Sequence, residues 1–250
     1  MTQTAVLKQS TSHSYIGAEL ELFAKAFHWK TYLRDRIAPW LAEEVLEVGA
    51  GIGGTTRMLC SGNQKRWLCL EPDPLQGLEV ELAIKAGTLP SCCEARVGTL
   101  ADLGDERFDV LLYIDVLEHI EDDRGELNRA ALFLRPGGRL IVLAPAHQWL
   151  FTAFDRSVGH FRRYNKRMMR ELRPDGLELR GLDYIDSAGL LASLANRCFL
   201  RQAMPTPWQI QTWDRWLVPA SRALDPCLRG SLGKSILGMW TKFGNIEIRI

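Results

Sequence analysis

From about residue 42 the chain alternates short apolar runs with amphipathic stretches. Apolar runs of strand length stand at 45–48, 67–70, 95–97, 108–114 and 140–143. Between them, apolar positions recur at helical spacing around 55–61, 75–85 and 122–134. Regular strand-helix alternation implies parallel strands, because a crossover helix returns the chain to the same edge and covers one face of the sheet. The expected fold class is α/β, a doubly wound sheet with helices on both faces. Ahead of it, Leu20, Leu22, Phe23, Ala26, Phe27, Tyr32 and Leu33 predict one long helix or two short ones between about 10 and 41. After 149 the alternation stops. A basic and aromatic stretch runs to 170, then a strand is expected at 177–185, an apolar helix at 189–200, a tryptophan-rich segment at 208–224 and a last strand at 235–240.

Composition narrows the class without changing it. With 46% apolar and 24% charged residues over 250 positions, the chain has ordinary globular usage and length enough for one large domain. Lys and Arg number 31 against 30 acids, so the basic excess of a dedicated nucleic-acid binder is absent and no nucleic-acid partner is expected. The first 14 residues carry no apolar leader-like core, and no later run approaches the ~18 apolar residues of a membrane span, so the expected address is cytoplasmic. Cys60, Cys69, Cys92, Cys93, Cys198 and Cys227 include no C-x-x-C spacing. They are read as reduced thiols rather than a zinc site or disulfide framework, with Cys69 in the core and nothing near Cys93 in sequence to activate it.

The chemistry concentrates at Val45-Leu46-Glu47-Val48-Gly49-Ala50-Gly51-Ile52-Gly53-Gly54, a glycine-rich turn between a strand and a helix. Glycines there permit a tight turn and bring a ligand close to backbone N–H groups. The spacing alone is shared by several nucleotide-binding folds. Glu47, at the strand end, disfavours a pyrophosphate and favours a ligand with positive charge; a plain surface acid is the alternative. Glu71, 17 positions beyond Gly54, stands where an acid takes ribose hydroxyls, or else caps the helix after Pro72-Asp73-Pro74.

Leu46–Gly53 resembles the first motif of class I S-adenosylmethionine-dependent methyltransferases. Phe108-Asp109-Val110-Leu111-Leu112-Tyr113-Ile114-Asp115 with Val116-Leu117-Glu118-His119-Ile120 resembles that family's fourth-strand motif, and Leu134-Arg135-Pro136-Gly137-Gly138-Arg139 the turn into its fifth strand. The resemblance implies a Rossmann-like seven-stranded sheet, mostly parallel with an antiparallel edge strand, and S-adenosylmethionine as cofactor, with no metal. It further implies that Glu47 and the backbone of Gly49, Ala50, Gly51 and Gly53 hold the methionine and ribose parts, that Glu71 and Pro72 flank the ribose, and that Ile114 and Asp115 lie near the amino-acid end. After the third strand the family's adenine-binding acid is missing from Gly98-Thr99-Leu100-Ala101-Asp102; Thr99 and the Leu100 backbone substitute, or Asp102 reaches back. A single domain is expected: a helical cap (1–41), a cofactor-binding core (42–148), an acceptor-side lid (149–234) and a last strand with tail (235–250).

Asp155-Arg156-Ser157-Val158-Gly159-His160-Phe161-Arg162-Arg163-Tyr164 follows the fifth strand, where acceptor-contacting loops belong. It is similar to a G-H-x-R-R-Y stretch in a methyltransferase subgroup associated with glycan, lipid and specialised-metabolite pathways, which also tends to carry patterns like Phe27-His28-Trp29-Lys30 and Gln211 to Arg215. The candidate catalytic residues are His160 as base or acceptor-orienting group, Tyr164 as hydrogen-bond donor and His119 beside the methyl donor; Arg162 or Arg163 would clamp an anionic acceptor. Each has a structural alternative: Asp155 pairing with an arginine to hold the loop, His160 on a carbonyl, His119 capping the next helix. Trp208, Trp213 and Trp216 either cover the pocket, pack in the core or meet a membrane surface. The expected function is methyl transfer to a small-molecule acceptor, with an anionic or lipid-linked acceptor included. A nicotinamide-dependent oxidoreductase and a non-catalytic nucleoside-binding protein are the rivals.

Overall fold

The computed structural model describes residues 26–197 and 206–244. Leu20, Leu22 and Phe23, the end of the expected 189–200 helix and Cys198 lie outside the described residues.

Helix α1 (Phe27–Ile37) precedes β1 (Glu44–Val48), and then α2 (Gly54–Leu59), β2 (Arg66–Glu71), α3 (Pro74–Lys85) and β3 (Cys93–Val97) build the first half of the sheet. β4 (Phe108–Ile114), α4 (Asp123–Leu132) and β5 (Leu134–Pro145) continue it. After β5 come α5 (Ala153–Ser157), α6 (Lys166–Glu171), β6 (Leu177–Ile185), α7 (Ser187–Ala195), α8 (Pro207–Thr212), a π-helical turn (Trp213–Leu217) and α9 (Val218–Leu228), before β7 (Ser235–Lys242). The seven strands run in the order β3-β2-β1-β4-β5-β7-β6. All pairs from β3 to β5 are parallel, and β7 enters antiparallel between β5 and β6. The chain order reverses between β1 and β4, and the crevice beyond the strands' carboxyl ends at such a point is where open α/β sheets bind ligands.

Successive side chains of each strand serve opposite faces. Leu46, Leu68, Leu111 and Leu140 enter the core on one side, and Val45, Trp67, Val110 and Ile141 the core on the other. Both faces are buried, so these strands read as continuous apolar runs. β5 is longer than its apolar stretch: Leu134 pairs with Phe108, the next pair is Arg139 with Val110, and residues 135–138 bulge between them.

The helices that follow β5 are tied to the sheet by two buried carboxylates. Asp225 accepts from Tyr32 Oη at 2.6 Å and from the backbone N–H of Asp186 and Ser187; Asp186 accepts from Ser221 Oγ, Trp213 Nε1 and the Gly189 N–H that opens α7. At the start of α1, Asp214 of the π turn accepts from the N–H groups of His28 (3.2 Å) and Trp29 (2.8 Å). A helix N-terminus has orphan donors, and here a residue 186 positions away caps them. The two sequence patterns at 27–30 and 211–215 are therefore halves of one contact.

Among the described residues no helix is long and apolar enough to cross a membrane.

Candidate active site

A cavity of about 1220 Å³ opens over the carboxyl ends of β1, β2 and β4 and continues beneath the helices that follow β6. Its first half is built by strand ends and loop backbone. Gly49, Gly51 and Gly53 all have positive φ, and a Cβ on Gly49 would stand 2.6 Å from Val116 Cγ2, so only glycine lets the loop pass under the segment after β4. Gly49, Ala50 and Gly51 line the cavity; Gly53 lies behind it as the left-handed residue that starts α2.

Glu71 lines the cavity and also braces its wall, accepting from the Gly51 N–H at 2.8 Å and the Asp73 N–H at 3.0 Å. Asp73, not Glu71, caps α3, through the N–H groups of Leu75 and Gln76. Burial raises the Glu71 pKa, and the two backbone donors oppose that rise. Pro72, Thr99, Leu100, Ile114 and Asp115 are on the wall as well. Asp102 turns back on Thr99, accepting from its N–H at 2.8 Å and its hydroxyl at 3.1 Å, which closes the turn rather than reaching the cavity. Asp115 holds φ 55°, and its pKa is pushed up to about 6 by enclosure, opposed by His160 and Lys234.

Glu47 departs from its expected place. Its side chain is buried behind the glycine loop, off the cavity wall, where Thr56 Oγ1 and Trp67 Nε1 each donate to it at 2.7 Å. Burial pushes its pKa up to about 7, with both hydrogen bonds opposing. It fastens β1 to β2 and α2 and so fixes the loop it precedes.

The second half of the cavity depends on Asp155, which is fully buried. It accepts from Thr152 N–H (2.7 Å), Thr152 Oγ1 (3.1 Å), Arg163 Nε (2.7 Å) and Nη2 (3.1 Å), and is 3.1 Å from His160 Nδ1. Burial would raise its pKa, but His160 and Arg163 hold it well below the ordinary carboxylate range. The carboxylate fixes the His160 ring with Nδ1 toward Asp155 and Nε2 3.9 Å from Glu118 Oε1. His119 packs edge-on against His160 with ring centroids 4.6 Å apart, and burial and the His160 charge lower its pKa to about 4. Ligand atoms of Glu118, His119 and His160 all lie within 4.8 Å of one another. Asp122, not His119, caps α4.

Tyr164 is corrected. Its ring is fully buried in the core, off the cavity wall, and its hydroxyl lies 3.1 Å from the Leu117 carbonyl and 3.0 Å from Asp123 Oδ2. Residue 164 bridges to Ala146 in extended backbone, where neighbouring side chains point opposite ways: Arg163 faces the cavity and Tyr164 the core. Arg162 pairs with Asp123 at 2.5 Å and Arg163 with Asp155, so the two arginines serve internal acids.

Trp213 is buried and lines the cavity; Trp208 lines it with most of its ring exposed, whereas Trp216 faces solvent. Lys234 was not singled out by sequence reasoning. Because β7 is antiparallel, its first end falls at the carboxyl ends of the parallel strands. This puts Lys234 on the cavity wall, 3.6 Å over the Trp213 ring and 3.5 Å from Asp186 Oδ2. A lone lysine immediately before an apolar strand was the available signal.

Bare loop backbone, a carboxylate at the end of β2 and a second acid beyond β4 suit a ligand that carries a ribose diol and a positive centre.

Residues 46–140 match the model of the family described as "Methyltransferase domain". The demethylmenaquinone methyltransferase of Tropheryma whipplei (strain Twist) is 29% identical over 140 residues, 52% of this chain and 54% of that one. The tRNA U34 carboxymethyltransferase of Syntrophotalea carbinolica is 31% identical over 121 residues, 46% of this chain and 37% of that one. The chain thus spans about half the length, or less, of these curated relatives. The solved structure of geranyl diphosphate methyltransferase in complex with its cofactor superposes with a TM-score of 0.62 over 92% of this chain and 94% of that one, at 12% identity. The fold is the Rossmann-like fold of class I methyltransferases.

Proposed function

We propose that this chain is an S-adenosylmethionine-dependent methyltransferase acting on a small-molecule acceptor, and that it belongs to the G-H-x-R-R-Y subgroup. The observation that carries the reading is the single cavity joining the glycine loop and Glu71 to His160 under one roof. When bound, the cofactor supplies an electrophilic methyl on a sulfonium. In the proposal, Gly49, Ala50 and Gly51 offer backbone to it, Glu71 with Pro72 takes the ribose, Thr99 and Leu100 meet the adenine, and Ile114 with Asp115 meets the amino-acid end. Glu47 and Gly53 act one step back, by holding the loop in shape.

Displacement at a sulfonium needs an aligned acceptor and, for a hydroxyl or amine, somewhere for its proton to go. His160 Nε2 receives that proton, while Asp155 keeps Nδ1 protonated and the ring fixed. His119, held neutral by burial, orients the acceptor beside it. Tyr164 has no part in the transfer. Trp29, Trp208, Trp213 and Ile210 give the chamber an apolar wall, and Lys234, whose pKa burial lowers while Asp186 opposes that fall, stands on the same wall, so an acceptor with an apolar body fits and an acidic group on it would meet Lys234, lipid-linked acceptors included. The regions 1–41, 42–148, 149–234 and 235–250 remain our assignment of cap, core, lid and last strand.

Calorimetric titration with S-adenosylmethionine, its demethylated product and NADH tests the reading. Binding of the first two without NADH is expected, and binding of NADH alone would overturn it. Glu71→Ala is expected to weaken cofactor binding by about 1–3 kcal/mol through lost charge-assisted hydrogen bonds. Unchanged affinity would remove Glu71 from the ribose.

A further inference from the structure

The six cysteines show no metal-ligand spacing in sequence, yet the fold gathers three of them at the edge of the sheet opposite the cavity. Cys60 ends α2, and Cys93 begins β3 opposite Trp67 at the start of β2. The Cys92 carbonyl accepts from the Trp67 N–H at 2.8 Å, which fixes the loop that leads into β3. Cys60 Sγ stands 3.5 Å from Cys92 Sγ and 3.6 Å from Cys93 Sγ, and all three sulfurs lie within 4.8 Å of one another. Cys93 therefore has two thiol neighbours that its place in the sequence does not show.

We propose that Cys60, Cys92 and Cys93 form a binding site for one thiophilic cation of the zinc type. Around a tetrahedral ion with metal–sulfur bonds of about 2.3 Å, adjacent sulfurs stand roughly 3.8 Å apart, so the two separations from Cys60 need shifts of only a few tenths of an ångström. Gln64 Oε1, 3.6 Å from Cys60 Sγ, or a water supplies the fourth position. Cys60 and Cys93 are buried and Cys92 is half-buried. Each sulfur that binds gives up its proton, so binding releases protons and strengthens as pH rises. The ion would clip the end of α2 to the start of β3. The site is separate from the cavity, and the proposal does not depend on the methyltransferase reading.

The test uses the full chain, reduced and metal-free, titrated with Zn²⁺ against a chromophoric chelator and separately with Co²⁺ as a spectroscopic probe. One equivalent of metal, with thiolate-to-cobalt charge-transfer absorption, is expected. Both signals should be lost in Cys60→Ser and in Cys92→Ser, the second chosen because its half-buried side chain leaves folding least disturbed, and both should persist in Cys227→Ser. Absence of stoichiometric binding by the unaltered chain would overturn the proposal, as would metal binding retained by both Cys60→Ser and Cys92→Ser.

Discussion

Replacing Asp155 by Asn removes one charge from a fully buried position and tests whether that charge organises the lid. The carboxylate serves Thr152, His160 and Arg163 together. The amide keeps the shape, but its NH₂ meets donors where the carboxylate met them with oxygen. Removing one partner of a buried ion pair costs about 3–5 kcal/mol, because the other charge is left uncompensated. The Arg163 side chain is 13% exposed and can recover some hydration, so the lower end, about 3 kcal/mol, is expected. With a urea slope near ~3 kcal/mol/M for a chain of this size, the unfolding midpoint should fall by about 1 M. The depressed carboxyl pKa means that the folded state binds fewer protons than the unfolded state through the acid range. Its contribution is thus fully present above the ordinary carboxylate range and is lost as pH falls through the lower, folded value. The difference between the two proteins should accordingly be constant near neutrality and shrink below about pH 4. A midpoint shift under about 0.3 M, or a double-mutant cycle with Arg163→Ala giving a coupling below about 0.5 kcal/mol, would refute the pairing as the lid's anchor.

Glu47 should behave in the opposite sense. Burial raises its pKa to about 7, so the folded state holds a proton that the unfolded chain releases, and stability falls as pH rises between about 4.5 and 7. Glu47→Gln is expected to be more stable than the parent at pH 8, by roughly 2–3 kcal/mol, and equal to it near pH 4 in chemical denaturation; a pH-independent difference would exclude the raised pKa. Asp214→Ala removes the acceptor at the start of α1 and should cost about 1–2 kcal/mol, with hydrogen exchange rising first at His28 and Trp29; unchanged exchange there would deny the cap. Tyr164→Phe should lower stability by about 1 kcal/mol while leaving cofactor affinity and turnover intact, and loss of turnover in a folded variant would return Tyr164 to the reacting centre.

The parallel core was legible because a strand buried on both faces has to be apolar throughout its middle. Residues 108–114 and 177–185 end where their apolar patterns end, whereas the apolar 140–143 marks only the centre of Leu134–Pro145. The outer parts of β5 are a bulge and a sheet rim, where polar residues are tolerated and periodicity carries no signal. The antiparallel entry of β7 between β5 and β6 depends on pairings between segments far apart in sequence, and no local pattern encodes it.

The two halves of the cavity differ in the same way. The loop of Gly49, Gly51 and Gly53, and the acids that end β2 and β4, are placed by local backbone: positive φ needs glycine, and a strand's last residue faces the crevice whatever its remote neighbours. Glu47 fails that rule because it lies two residues before the turn, inside the sheet, where Thr56 and Trp67 claim it. In the half of the cavity built after β5, every role turns on which partner a polar side chain finds. Asp155 had two arginines to choose from and took Arg163; Arg162 went to Asp123; Lys234 arrived from the far end of the chain; and His28 and Trp29 met Asp214. A sequence reports that such groups exist and how they are spaced, but their pairing is settled only when the sheet order brings remote segments together. The proposed acceptor half is thus the part of the molecule that local sequence patterns describe least, and Asp155, which fixes His160, is the residue through which that proposal is most directly tested.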